Sequence, residues 1–283
     1  MKITIMNSNL LKEINFENQE FKISYSGVFF FIGIFLLGLL VSGGLSILLN
    51  TLELSKELFN SVFIFLNIIP FVMPIIYFLM HYKERHKFNF IPTKHLPLLI
   101  ILSFFLMFCI SFLAELIPYD EGILKKWYDL VKSSFEGLMH PKWAFVTSVC
   151  IFAPVFEELF LRGILLRGLI NKATTEKEVW KAIVFTAFIF GLIHMNPWQF
   201  IAAFVGGIVL GYVYYRTKSL GNSIFIHALN NGVSTYLIFK YGEAEMVKLI
   251  DHSENDLLYM ILALIGLVVS LYFVYFFTRK NIK

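Results

Sequence analysis

The sequence predicts an all-α fold: a polytopic integral membrane protein with about eight transmembrane helices. Three observations predict it. The 283 residues are 58% hydrophobic and only 16% charged, whereas soluble domains run at roughly 45–50% apolar and about 25% charged. The mean hydropathy is +0.71. The apolar residues fall into blocks of about 20, long enough to cross a hydrocarbon core of about 30 Å as helices. No internal repeat, linker or second domain is visible, so residues 1–283 are expected to form a single membrane domain.

Residues 1–26 mix Lys2, Lys12 and Lys22 with Glu13, Glu17 and Glu20 and read as an N-terminal polar or interfacial arm. They lack the short apolar core and small-residue cleavage site of a signal peptide. The first span covers residues 27–49. The second, 58–80, contains Pro70 and Pro74, which are tolerated where neighbouring helices satisfy the freed carbonyls. The third covers 96–117. Residues 119–142 alternate charge with Ile123, Trp127, Leu130, Phe135 and Leu138, an i, i+3/i+4 pattern. It fits an interfacial amphipathic helix or a helix in an extramembrane loop. The fourth span is 143–169, followed by a polar connection at 171–181 and a short fifth span at 182–194. The sixth, 198–215, holds Gly207 and Gly211, a small-xxx-small pair that lets a neighbouring backbone approach. The seventh is 220–239. An acidic stretch from 243 to 256 precedes the eighth, 257–277.

Basic residues orient the bundle. With both termini in the cytoplasm, 16 of the 24 Lys and Arg residues flank the cytoplasmic helix ends and seven flank the other side, Arg162 lying within a span. Cytoplasmic loops carry such an excess. The net charge of +4 is spread over short loops rather than one stripe, which excludes a nucleic-acid partner. Cys109 and Cys150 both lie in apolar runs and read as buried free thiols. Richness in Lys, Ile, Asn and Phe points to an AT-rich genome and a bacterial cell membrane.

Inside the fourth span stands Phe156-Glu157-Glu158-Leu159-Phe160-Leu161-Arg162-Gly163. A charge at mid-membrane costs roughly 2.5–3.5 kcal/mol on insertion scales, so these residues are functional candidates by default. Glu158 and Arg162 are i and i+4, on one helical face and in the favourable order for an ion pair. Glu157 points about 100° away. The spacing therefore assigns Glu158 to Arg162 and leaves Glu157 free to face a cavity; a purely structural charge cluster is the alternative. His194 ends the fifth span, four residues after Phe190, and also suits a helix C-terminus. His227 and Asn231 are again i and i+4, and could serve as interhelical glue. Asn230 faces away and is the weaker candidate. At 1.5 Å per residue, Glu157 lies roughly 15 Å from Arg167, His227 roughly 13 Å from Lys218 and His194 about 20 Å from Lys181, so His194 sits deepest unless the fifth helix is tilted or sunk inward; the depths match one polar chamber reached from the cytoplasm only loosely.

A carboxylate and a histidine can together take a proton from water, while a second histidine and an amide can stabilise an oxyanion. Glu157, His194 and His227 could equally hold a zinc ion with a position open for water. The HExxH spacing is absent, so no metal is implied. Ser148 and Cys150 have no histidine close in sequence, and the G-x-S-x-G and P-loop patterns are missing.

Glu157-Glu158-x-x-x-Arg162, Phe190-x-x-x-His194 and His227-x-x-x-Asn231, in that order over residues 143–239, resemble the three motifs of the CPBP intramembrane proteases. These are the CAAX proteases and bacteriocin-processing enzymes, similar to the type II CAAX prenyl endopeptidase. The resemblance implies about eight spans around a cytoplasm-facing chamber. It implies that Glu157 and His194 activate water, that His227 and Asn231 form the oxyanion site, and that Glu158 and Arg162 support the geometry. The family has been described both as metal-dependent and as glutamate-type. The expected partners are the lipid bilayer and a membrane-delivered substrate, a leader-bearing or lipid-anchored peptide rather than a prenylated one if the host lacks prenylation. A non-catalytic scaffold or bacteriocin-immunity protein of the same fold is the alternative. A proton-coupled transporter ranks below both, since no inverted repeat is visible.

Overall fold

A computed structural model describes residues 21–82, 88–92, 95–241 and 256–279. Residues 1–20 of the expected arm and 243–255 of the acidic stretch lie outside the described residues. Among the described residues ten helices follow one another: α1 (Tyr25–Asn50), α2 (Lys56–Leu66), α3 (Ile69–His81), α4 (Leu96–Glu115), α5 (Gly122–Leu138), α6 (Lys142–Ile170), α7 (Glu176–Leu192), α8 (Pro197–Thr217), α9 (Leu220–Tyr241) and α10 (Asp256–Thr278). No strand occurs among the described residues.

The chain is an all-α polytopic membrane protein. Among the described residues six stretches are long and apolar enough to cross a bilayer by length and composition: α1, α2 with α3, α4, α6, α8 and α10. The other two expected spans are helices as well. However, α7 has only 17 residues with charges in its first turns, and α9 carries His227, Asn230 and Asn231. These two less apolar helices bring in both histidines of the site.

The second expected span is broken into α2 and α3 at Asn67–Ile68, and proline explains the break. Pro70 has no N–H for the carbonyl of Leu66, four residues back. That carbonyl instead accepts a 2.9 Å hydrogen bond from Ser42 Oγ on α1. The chains approach so closely that a Cβ on Gly38 would lie 2.6 Å from Pro70 Cα. Hence glycine stands there.

The charged residues 176–181, expected in a connection, form the first turns of α7. Thr175 Oγ1 accepts from Glu178 N at 3.3 Å, and Glu178 Oε2 accepts from Thr174 N at 2.6 Å. This reciprocal cap satisfies donors that a helix start leaves open, and it outweighs the polarity of the segment. Against α7 runs α8. A Cβ on Gly207 would meet Ala187 Cβ at 2.9 Å and one on Gly211 would meet Ile183 at 3.2 Å. The small-residue face thus does what its spacing predicts.

Between α4 and α6, α5 lies against the same end of the bundle as the α7–α8 connection. Tyr128 packs on Trp198, with ring centroids 5.2 Å apart, and Phe135 packs on Phe145 at 5.5 Å. Ile123, Trp127 and Leu130 form a second, exposed apolar stripe beside Lys125 and Lys126. A helix apolar on both its protein-facing and outward sides suits an interfacial position.

Candidate active site

The site is built on α6, where two wide turns depart from α-helical geometry. Residues Ser148–Phe152 and Leu159–Leu166 are π-helical, flanking the α-helical turn Ala153–Glu158 that bears both glutamates. Pro154 accounts for one consequence of the first wide turn. In an i→i+5 register the donor for the Val149 carbonyl would be residue 154, which as proline has no N–H. Asn231 Nδ2 from α9 donates to that carbonyl instead, at 2.9 Å. Asn231 is thereby fixed against the site helix.

Glu158 is fully buried and pairs as its spacing predicts. Arg162 Nη1 donates to Glu158 Oε1 at 2.8 Å, and Arg162 Nη2 donates to the Gly207 carbonyl on α8 at 3.1 Å. The same Glu158 Oε1 lies 3.0 Å from His227 Nδ1, while Oε2 has no hydrogen-bond partner among the described residues. Glu158 therefore reaches beyond Arg162 to orient His227. A carboxylate accepts, so Nδ1 is the donating nitrogen of that ring.

Glu157 has different surroundings. Its side chain is 13% exposed, and Oε2 lies 3.8 Å from His227 Nε2, beyond hydrogen-bond range. It borders a cavity of about 180 Å³ lined chiefly by Ile64, Ile68, Phe71, Phe145 and Phe156. The predicted division of labour between the two glutamates is thus a difference in environment: one buried in a network, the other at the edge of an apolar cavity.

His194 lies where α7 turns into α8. Its Nδ1 is 2.8 Å from the Phe190 carbonyl. That carbonyl is one of those a helix C-terminus leaves unpaired, and because a carbonyl only accepts, Nδ1 carries the proton and Nε2 the lone pair. Asn196 holds the turn from the other side: it caps α8 by accepting from Gln199 N at 2.9 Å, and its Nδ2 donates to the His194 carbonyl at 3.0 Å. Pro197 follows at the first helical position. Asn-Pro before an apolar run is a helix-start signal, so this support was available in the sequence.

Phe190 was named in the sequence only for its spacing, yet it joins the parts. Its ring meets His194 and His227 edge-on, at centroid distances of 5.0 and 5.6 Å, and the Arg162 guanidinium lies 4.9 Å from its centre. Among the described contacts no hydrogen bond or ion pair joins Glu157 to His194; Phe190 links His194 to the network. Asn230, the weaker candidate, accepts from Ser103 Oγ on α4 at 2.5 Å and is committed to packing. Cys109 and Cys150 are free thiols, with Cys150 Sγ 3.5 Å from Thr235 Oγ1.

Among the described residues no three His, Cys, Asp or Glu side chains are grouped to hold an ion. The Nδ1 atoms of both histidines are engaged by the Phe190 carbonyl and Glu158, which leaves both Nε2 atoms available to a water molecule or to a metal ion.

Residues 139–233 match the family model described as Type II CAAX prenyl endopeptidase Rce1-like. All three motifs lie within that segment, and the resemblance drawn from them is borne out there. Neither a curated protein nor a solved structure matches the chain.

Proposed function

Taking the segment 139–233 as an intramembrane CAAX-type protease at the level of its family, we propose that this chain is an endopeptidase. Its substrate is a membrane-delivered or lipid-anchored peptide or protein, and its catalytic groups are Glu157, His194, His227 and Asn231. The observation that carries this reading is the contrast within the pair of glutamates: Glu158 spends its charge on Arg162 and His227, while Glu157 stands at the edge of the cavity, with His227 Nε2 3.8 Å away, beyond hydrogen-bond range.

The proposed chemistry uses the atoms those contacts leave available. Glu157 takes a proton from a water molecule, with His194 Nε2 as the second acceptor holding that water. The hydroxide attacks the peptide carbonyl. The oxyanion is met by His227 Nε2 and by the second N–H of Asn231, since the first is held by Val149. Because His227 Nδ1 already donates to Glu158, a ring that donates through Nε2 as well is an imidazolium, with the buried Glu158 carboxylate beside it. The proton held by Glu157 then passes to the departing amine, which closes the cycle without a covalent intermediate. This is the glutamate-type form of the reaction.

Comparing membrane peptidomes from cells carrying wild-type and Glu157→Ala protein tests the proposal and identifies the substrate. Peptides cleaved only with the wild type are expected. A variant that protects a cell or supports a partner as well as wild type, with identical peptidomes, would establish the scaffold or immunity reading instead.

A further inference from the structure

The turn that joins α7 to α8, His194-Met195-Asn196-Pro197-Trp198-Gln199, is held more tightly than a connection between two helices needs. The φ of Met195 is 52°, in the left-handed region that a residue with a Cβ rarely enters. Its side chain is 71% exposed, so burial does not keep it there. Hydrogen bonds from the next residue do. Asn196 is buried, and its oxygen and its amide nitrogen are both engaged. Oδ1 accepts from Gln199 N at 2.9 Å, while Nδ2 donates to the His194 carbonyl at 3.0 Å and to Gln199 Oε1 at 2.6 Å. Because a backbone N–H only donates and a carbonyl only accepts, these partners fix which way the amide faces.

Capping α8 accounts for the oxygen but not for the nitrogen. Serine or aspartate would cap a helix about as well, yet neither has an amide N–H to reach back over Met195. What asparagine adds is the bond to the His194 carbonyl. The surroundings leave the turn little room to move. A Cβ on Gly191 would lie 2.8 Å from the Phe200 ring and 3.0 Å from the Phe200 carbonyl. Trp198 Nε1 donates to the Ile117 carbonyl beyond α4 at 3.3 Å, and Tyr128 of α5 meets the same indole edge-on. His194 is thus held at two points: its ring by the Phe190 carbonyl at 2.8 Å, its backbone by Asn196. Among the described contacts no hydrogen bond joins His194 to Glu157, so these two bonds and the edge-on Phe190 ring set where Nε2 stands.

We propose that Asn196 is a positioning residue for hydrolysis: by holding the His194 carbonyl, it aims the lone pair of His194 Nε2 at the water that Glu157 deprotonates. Asn196 acts through His194 alone. The proposal rests on the protease reading for the reaction, but the placement of the imidazole is a property of the folded protein with or without turnover. A group displaced by about 1 Å costs about a hundredfold in rate, so releasing the His194 backbone should cost roughly ten- to a hundredfold.

NMR of the purified full-length protein carrying nitrogen-labelled histidine reads the ring directly, the His194 signals being identified by their loss in His194→Ala. Wild type is expected to show one tautomer, with Nδ1 protonated and Nε2 bare, because the hydrogen bond at one ring nitrogen sets the state of the other. Asn196→Asp and Asn196→Ser keep a capping oxygen, one with a charge and one without. Both are expected to melt close to wild type and to show a mixture of tautomers. With the peptide that the peptidome comparison identifies, both should lower kcat roughly ten- to a hundredfold at unchanged KM. Thr175→Ala, which removes the cap at the other end of α7, is expected to lower the melting temperature yet leave the His194 signals and kcat as they are. Wild-type His194 signals in the two Asn196 variants would overturn the proposal, and so would altered signals with kcat unchanged. A wild-type ring without the single tautomer would overturn it too. A wild type that shows the tautomer but cleaves nothing sinks the protease reading instead, and the hold of Asn196 on the ring is then decided by the signals alone.

Discussion

Glu157 and Glu158 are identical side chains with opposite surroundings, and their variants should fail in opposite ways. Removing Glu158 leaves Arg162 buried without its counter-charge and His227 without its acceptor. Breaking a buried pair from one side costs about 3–5 kcal/mol. Glu158→Ala is therefore expected to lower the melting temperature in detergent sharply, with activity lost along with the fold. Glu157→Ala removes no hydrogen bond seen in the structure and is expected to melt close to wild type while losing roughly 10²–10⁴-fold in kcat, the usual range for a general base. Similar melting curves for the two variants would contradict this division. Their separation was legible in sequence through the i, i+4 partner of Glu158. The contact of Glu158 with His227, and the central position of Phe190, were not, because spacing along one helix says nothing about what faces it from another.

At the scale of elements, prolines and glycines account for the irregular helices. Gly38→Ala would put a Cβ 2.6 Å from the Pro70 backbone, whereas a Cβ on Gly33 of the same helix meets nothing within 4 Å. Overpacking of this kind costs about 1–3 kcal/mol, so Gly38→Ala should lower thermal stability in detergent and Gly33→Ala should not. The start of α7 gives a pH dependence. Glu178 is held below the ordinary carboxylate range chiefly by the Thr174 N–H, then by the Thr174 hydroxyl. A depressed folded-state pKa stabilises above the unfolded-state value and is lost as pH falls through the folded one. Wild type and Glu178→Gln should thus differ in melting temperature at neutral pH and converge in acid. The sequence signalled that Pro70 would free a carbonyl; it did not reveal that Ser42 would take it, nor that the span would break. It also hid the start of α7, since a polar segment can be a connection or the capped first turns of a helix. The wide turns of α6 have no pattern in an apolar run beyond Pro154 itself.

For the whole molecule, hydropathy blocks were enough for the class and order of the helices, because a bilayer demands length and apolarity from each. They served least well for α7 and α9, where function replaces apolar residues with polar ones. Charge asymmetry suggests which ends are cytoplasmic, but the way the site packs depends on α6, α8 and α9 together, and no single segment encodes that. The central claim is hydrolysis at Glu157. Its most direct test is to incubate wild-type and Glu157→Ala protein, purified in detergent with matched melting curves, with the peptide that the peptidome comparison identifies, and to follow the cleavage products by mass spectrometry. The account predicts cleavage by the wild type and at least about a hundredfold slower cleavage by Glu157→Ala; equal rates would contradict it.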